Sequence, residues 1–344
     1  MTKNVLVTGG AGFIAHHVID LLLKHTDWNI VSLDRLDFSG NLNRLYDVMQ
    51  DHDAETRKRV KIVFHDLRAE INPLTAQRIG KCDIILHLAA GSHVDRSIDY
   101  PMEFVLDNVV GTCNILEFAR KQENLERFVY FSTDEVFGPA PVGVNYGEYD
   151  RYNSGNPYSA TKAGGEELAV CYENTYKLPV IITHTMNVFG QRQHPEKYIP
   201  MCIRKVRDGE TITVHSDKTK TIPGSRFYIH ASDVADGLLF LLNNVDERHY
   251  TDMGTKVCPK FNLVGKQEIN NLQLAQLIAD AQGKPLNYEL MDFHSSRPGH
   301  DLRYALSGDL MRSMGWEPKI ELTERISQVV EWTLKRTDWL DLDE

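Results

Sequence analysis

The sequence predicts a doubly wound α/β fold: a parallel sheet with helices on both faces, followed by a smaller C-terminal α/β lobe. Three observations lead there. Short apolar runs alternate with segments of helical periodicity along the first half of the 344 residues. Those runs are continuous rather than alternating, the mark of strands buried on both faces. A glycine-rich turn, "VTGGAGFIA" (7–15), stands where the first strand passes into the first helix.

In chain order, "NVLVT" (4–8) reads as a strand and is followed by a helix from about Gly12 to His25. Further strands are read at "NIVSLD" (29–34), "VKIVFH" (60–65), "DIILHLAA" (83–90), "RFVYFST" (127–133) and "LPVIITHT" (178–185). Helical periodicity covers 101–121 and 158–177. After about Met186 the texture changes. Helices near 197–208, 231–243, 270–282 and 321–335 are separated by short strands and polar loops such as "HSDKTKTIPGSRF". The expected division is a dinucleotide-binding domain at 1–186, completed by about 227–256, and a substrate lobe at 187–226 and 257–344.

The formal charge of −10 excludes a general affinity for nucleic acid or anionic membrane. Five scattered cysteines, never in C-x-x-C spacing, argue against a disulfide framework and for a reducing compartment. No apolar run approaches the roughly 20 residues needed to span a bilayer. The N-terminus passes straight into a strand without a signal peptide, so a soluble cytoplasmic protein is expected. The fourteen histidines include no H-E-x-x-H, and the adjacent His16 and His17 are expected to point in different directions; no metal site is expected.

The glycine turn has the context of a Rossmann-type dinucleotide site, with a strand before and a helix after. Gly9 and Gly12 allow a tight turn and close approach to a pyrophosphate, and the helix N-terminus offers free N–H groups. Ala15 fills the third position and is small enough for it. Asp34, 25 residues after Gly9, ends the second strand. Its carboxylate suits ribose hydroxyls and repels a 2′-phosphate, which favours NAD over NADP; the adjacent Arg35 pulls the other way. His65, Asp66 and Leu67 are expected at the adenine edge. Phe13, Ile14, Leu88, Ala89 and Ala90 complete the expected cofactor contacts. A glycine turn and an acidic strand end in a protein without cofactor is the competing explanation.

"NPYSATKAG" places Tyr158 and Lys162 at i, i+4, on one face of a helix. A phenol with a pKa near about 10 is a poor base at neutral pH. A nearby ammonium and a cationic nicotinamide both favour phenolate, so that Tyr158 can accept a proton from a sugar hydroxyl. "VYFSTDEVFG" (129–138) ends an apolar strand on two adjacent carboxyls, Asp134 and Glu135. Such a pair tends to share one proton, because the first charge opposes the second ionisation. Absent the other motifs, both pairs read as ordinary surface residues.

Together these stretches resemble an extended short-chain dehydrogenase/reductase, and within that superfamily the dTDP-glucose 4,6-dehydratase family. "VTGGAGFI", "LDFSGNLNRL", "HLAAGSHVDRS", "NVVGTCNILEFA", "FSTDEVFG", "NPYSATKA", "PEKYIP", "FNLVGKQE" and "RPGHDLRYAL" carry the likeness along almost the whole chain. The dehydratase assignment rests on Thr133, Asp134 and Glu135. The resemblance implies loss of water from an NDP-glucose. Tyr158 accepts the C4 hydroxyl proton as NAD oxidises C4, with Thr133 hydrogen-bonding the C4 oxygen. Glu135 then removes the C5 proton, Asp134 protonates the leaving C6 hydroxyl, and the hydride returns to C6. It assigns nucleotide and diphosphate contacts to Asn187, Lys197, Tyr198, Arg226, Asn262, Arg297 and His300, while Ser92 and His93 follow the fourth strand, at the edge where substrates bind in doubly wound sheets. It also implies a homodimer packed through 101–121 and 158–177. Departures occur at Gly91, where glutamate is common, and in "HTMNVFGQRQ", "DKTKTIPGSRF" and "PAPVGVNYGEYDRYNSG". Selectivity would be set there, so UDP-glucose or another NDP-hexose stays open beside dTDP-glucose. An NDP-sugar 4-epimerase and a non-enzymatic cofactor-binding protein are the alternatives.

Overall fold

Seven parallel strands form the central sheet of the computed structural model, which describes residues 2–37, 39–252, 255–292 and 302–341. They are β1 (Asn4–Thr8), β2 (Asn29–Asp34), β3 (Val60–Phe64), β4 (Ile84–His87), β5 (Arg127–Thr133), β6 (Val180–Thr185) and β7 (Lys260–Leu263). Their spatial order is β7-β6-β5-β4-β1-β2-β3. Order reverses between β1 and β4, so the crevice above their C-terminal ends is the ligand position of this topology.

Residues of β1 show why the sheet is buried on both sides. Val5 and Val7 join one apolar cluster with Ile19, Leu22 and Leu238, and Leu6 joins another with Ile115, Phe128 and Ile182. Successive side chains of a strand point to opposite faces, and here both faces are covered. β3 departs from this expectation. It lies at the sheet edge, with a neighbour on one flank only, and leaves Ile62 and Phe64 exposed. β7 is a second correction. It falls in the stretch expected in the substrate lobe, yet pairs in parallel with β6 from Lys260↔Ile182 to Leu263↔Thr185. The helix Ala231–Asn244 packs on the helix Phe13–His25 and returns the chain to that edge.

The periodic stretch 101–121 is not one regular helix. It runs as Pro101–Val105, a π-helical turn Leu106–Val110, and Gly111–Arg120. The wide turn directs Asn108 inward, where it exchanges hydrogen bonds with Gly91 (2.8 and 3.1 Å) and donates to Thr161 Oγ1 (3.0 Å). π-turns recur at functional sites, and periodicity alone does not distinguish them from regular helix. A separate core, including Phe189, Ile203, Ile212, Leu274 and Ile326, holds the short strands Asn187–Phe189, Ser225–His230 and Glu268–Asn270 beside the paired strands Ile212–Ser216 and Tyr288–Asp292.

His16 and His17 also differ from expectation. Their ring centroids are 4.1 Å apart, because both sides of this helix are buried. Burial pushes both imidazoles down, His17 to about 4. Among the described residues no group of three or more His, Cys, Asp or Glu is placed to hold a metal, and no helix is long and apolar enough to cross a membrane.

An ionic knot pins the helix Pro157–Tyr176 to β6 and β7. The fully buried Glu166 carboxylate accepts from Lys260 Nζ at 2.9 Å, lies 3.1 Å from His184 Nε2, and accepts from the Tyr152 hydroxyl. Burial opposes its charge, but His184 and Lys260 prevail and hold its pKa well below the usual carboxylate value. Such a group contributes stability above its unfolded pKa, and that stability is lost as the pH falls through the folded value. Glu166→Gln should strand a buried cation and cost about 3–5 kcal/mol, read as a lowered midpoint in urea unfolding at neutral pH; an unchanged midpoint refutes this role.

Candidate active site

The site assembles along the C-terminal ends of β1, β2, β4, β5 and β6. Gly9 has φ +68°, and a Cβ there would lie 2.9 Å from the main chain of Ala89. Only glycine lets the loops after β1 and β4 come this close. The helix Phe13–His25 starts after Gly12 and carries no acidic residue in its first turn, so its free N–H groups fit a diphosphate. Asp34 Oδ2 accepts from Ala11 N (3.0 Å) and Oδ1 from Leu36 N (2.8 Å), which aims the carboxylate at the crevice. Phe13, Ile14, Arg35, Asp66, Leu67, Leu88, Ala89 and Ala90 line the same cavity, of about 800 Å³. β4 stops at His87, short of the expected 90, and this frees Leu88–Ala90 to form the wall.

The acid pair sits at the other end. β5 carries Thr133 to its last position, and Asp134–Phe137 form a 3-10 turn capped by Thr133. Gly138, at φ +75°, ends that turn where a Cβ would strike the Asn153 carbonyl. Thr133 Oγ1 donates to Asp134 Oδ1 at 3.0 Å, while Asp134 Oδ2 is buried without a partner among the described residues. Burial, then the neighbouring Glu135 charge, push Asp134 up to about 7, with Arg226 opposing. Glu135 is half-buried, and its Oε2 accepts from Asn156 Nδ2 at 3.0 Å.

Tyr158 stands in the first turn of the helix Pro157–Tyr176, which Asn156 and Ser159 close with a reciprocal capping box. One turn on, Lys162 Nζ donates to the Phe131 carbonyl of β5 at 2.6 Å and lies 4.4 Å from the Tyr130 ring centroid. Burial pushes Lys162 down to about 7. Burial, then the Glu135 charge, push the Tyr158 phenol up, with Thr133 opposing. The expected help from the ammonium is therefore outweighed in the protein alone.

The expected substrate residues are brought together in large part. Ser92, His93, Asn187, Lys197, Tyr198 and Arg226 line the cavity. Tyr198 presents its ring while its hydroxyl donates to the Asn271 carbonyl (2.8 Å), and the Arg226 guanidinium stacks 4.6 Å from the Tyr304 ring centroid. Asn262 is a correction. It is fully buried away from the cavity, with its side chain bonded to His184 and to the carbonyls of Tyr146 and Ser307. Its place on β7, opposite His184 of β6 and under the segments of Tyr146 and Ser307, is the cause. Arg297 and His300 lie outside the described residues.

A family model described as GDP-mannose 4,6 dehydratase matches residues 6–329. The chain belongs to that family, within the extended short-chain dehydrogenase/reductases. A mouse protein named dTDP-D-glucose 4,6-dehydratase is 34% identical over 338 residues, 97% of this chain and 89% of its own. The crystal structure of the Streptomyces venezuelae dTDP-glucose 4,6-dehydratase DesIV with NAD bound superposes with a TM-score of 0.83 at 31% identity, covering 98% of this chain and 99% of that one. The UDP-glucose 4-epimerase of Thermus thermophilus, crystallised with NAD, gives 0.81 at 27% identity, covering 95% and 98%. Dehydratases and epimerases share this fold, so the site residues must separate them.

One residue of this dehydratase-family chain, and the reason for another, went unread in the sequence. Asn156 serves both Glu135 and the helix of Tyr158; "NPYS" carries its signal, a cap residue before proline with serine three on. Gly91 has a steric reason: a Cβ would meet the Phe104 ring at 3.1 Å and Asp107 Oδ2 at 3.2 Å. Asn156→Ser retains a capping oxygen, adds no charge beside Glu135 and removes the amide donor to it. The melting temperature should stay near wild type while turnover falls by about tenfold or more; equal losses in both would show a purely structural asparagine.

Proposed function

We propose that the chain is an NAD-dependent NDP-glucose 4,6-dehydratase, with dTDP-glucose its leading substrate and UDP-glucose the alternative. The observation that carries this reading is the Asp134–Glu135 pair, set beside Tyr158 in one cavity, with Asp134 pushed up to about 7. An epimerase has no use for such a pair. The dTDP-glucose dehydratase names of the mouse and Streptomyces relatives support the choice of substrate.

NAD, when bound, takes a hydride from the sugar's C4 and returns it to C6. Tyr158 accepts the C4 hydroxyl proton, and the cationic nicotinamide lowers the cost of the phenolate that burial otherwise raises. Lys162, anchored on Phe131 O, supplies a second positive charge to that end of the cavity. Glu135, held by Asn156, removes the C5 proton made acidic by the neighbouring ketone and returns it to C5 once the hydride has reached C6. Asp134, which keeps its proton up to about pH 7 because it is buried beside a charged neighbour, gives that proton to the leaving C6 oxygen. Arg226 and Lys197 face the diphosphate, and guanidinium suits phosphate oxygens.

We assign 1–186, completed by about 227–256, to the cofactor domain, and 187–226 with 257–344 to the sugar-nucleotide lobe, β7 serving the cofactor sheet. Two helical segments, 101–121 and 158–177, form the homodimer surface in this reading; exposed Tyr100 and Met102 support it. Five unpaired cysteines support a cytoplasmic location.

Three outcomes test the reading. Glu135→Gln should leave C4 oxidation, seen as reduced-nicotinamide absorbance, while loss of water measured by mass falls by about 10²-fold or more; unchanged elimination refutes the assignment. Activity should fall as pH rises through about 7, because Asp134 loses its acid proton and Lys162 its charge in the same window. A kcat/KM that climbs from about pH 6 to pH 9 contradicts this. Met102→Glu should convert a dimer to a monomer in sedimentation; an unaffected dimer places the interface elsewhere.

A further inference from the structure

The adenosine end of the cavity holds a cluster that the dehydratase reading does not use. Asp107, on the π-helical turn, takes two bonds from Arg35 (Nη1–Oδ1 2.5 Å, Nη2–Oδ2 2.9 Å) and one from Arg68 (Nε–Oδ1 2.7 Å). Arg35 also pairs with Asp37 and lies 3.5 Å from Asp66. All five side chains line the cavity that Asp34 enters from the end of β2. In this fold a carboxylate at the position of Asp34 meets the adenosine 2′-hydroxyl, whereas a nearby arginine accommodates a 2′-phosphate. This chain has both.

Burial decides which carboxylate matters. The side chains of Asp37 and Asp66 are 40% and 45% exposed, so their pairing is screened by water. That of Asp107 is 9% exposed and alone engages both guanidiniums. Burial opposes its charge, yet the bonds from Arg35 and Arg68 keep its pKa below the usual value. Gly91 leaves room for it: a Cβ there would crowd its Oδ2 at 3.2 Å. A third cation, Arg44, is spent on the carbonyls of Ala11, Ser39 and Arg192. Asp34, Asp37, Asp66 and Asp107 thus set four carboxylates against three committed guanidiniums.

We propose that Asp107 sets the dinucleotide preference of this chain, by holding Arg35 and Arg68 together and so denying both guanidiniums to a phosphate on the adenosine ribose. The inference rests on the dinucleotide reading of the cavity but not on the dehydratase chemistry. Specificity here is a rejection built from a competing internal anion. Removing that anion leaves two cations partly uncompensated, and a 2′-phosphate offers them three oxygens in its place.

The test is direct binding of NAD and of NADP to the full chain by calorimetry. Asp107→Asn should lower the Kd for NADP and reduce the NADP/NAD ratio of Kd values by at least about tenfold. Adding Arg35→Leu and Arg68→Leu to that variant should restore the wild-type ratio. Should Asp107→Asn not fold, Asp107→Ser, a smaller neutral change, must show the same fall. An unchanged ratio, or a parallel weakening of both dinucleotides, makes Asp107 a structural clamp and overturns the proposal. If the wild-type chain binds neither dinucleotide, the cofactor reading falls first and this inference with it; if it binds NAD and the ratio does not move, this inference alone fails.

Discussion

The C-terminal end of β5 is locked in register with the first two turns of the helix Pro157–Tyr176, and the rest of the site depends on that lock. Three hydrogen bonds make it: Lys162 Nζ to the Phe131 carbonyl, the Tyr130 hydroxyl to the Lys162 carbonyl, and Asn156 Nδ2 to Glu135. Tyr158, Lys162 and Glu166 recur every fourth residue, so one helical face carries the phenol, the ammonium and the buried carboxylate in line. Glu166 then ties the far end of that face to β6 and β7 through His184 and Lys260. The reacting groups consequently sit on a strand end and a helix whose mutual position is set several residues deeper in the core, where side chains cannot rearrange cheaply.

Burial gives the site its electrostatic character. It raises Asp134, lowers Lys162 and raises Tyr158, each towards its neutral form. In surroundings of low polarity an arriving charge acts strongly on all three. The adenosine end differs in kind: its charges are already paired, Asp107 with two arginines, so it selects by what it withholds. Geometry thus divides one continuous crevice into an end that responds to charge and an end that rejects it.

Much of this was legible in the residues. Six of the seven sheet strands follow from continuous apolar runs, and the glycine turn and the Tyr158–Lys162 spacing mark both ends of the crevice. The misses share a cause. β7 is a short apolar run inside a polar stretch, and nothing local says which sheet it joins. Asn262 has a suitable polar side chain, but its neighbours on β6 and in the loop near Tyr146 are distant in sequence and take up its hydrogen bonds. The π-turn at Leu106–Val110 looks helical by periodicity because Leu106, Val109 and Val110 keep the i, i+3, i+4 spacing of a regular helix.

Local chemistry written in the chain was enough for the element types, the dinucleotide turn, the adjacent acids and the tyrosine–lysine pair, since each depends on residues within a few positions of one another. Three-dimensional packing settled the remainder. It raised the proton affinity of Asp134, joined Asn156 to Glu135, buried Asn262 beside β6, and brought Asp107 to Arg35 and Arg68. Burial and long-range charge pairing depend on which distant segments meet, and no local pattern encodes that meeting.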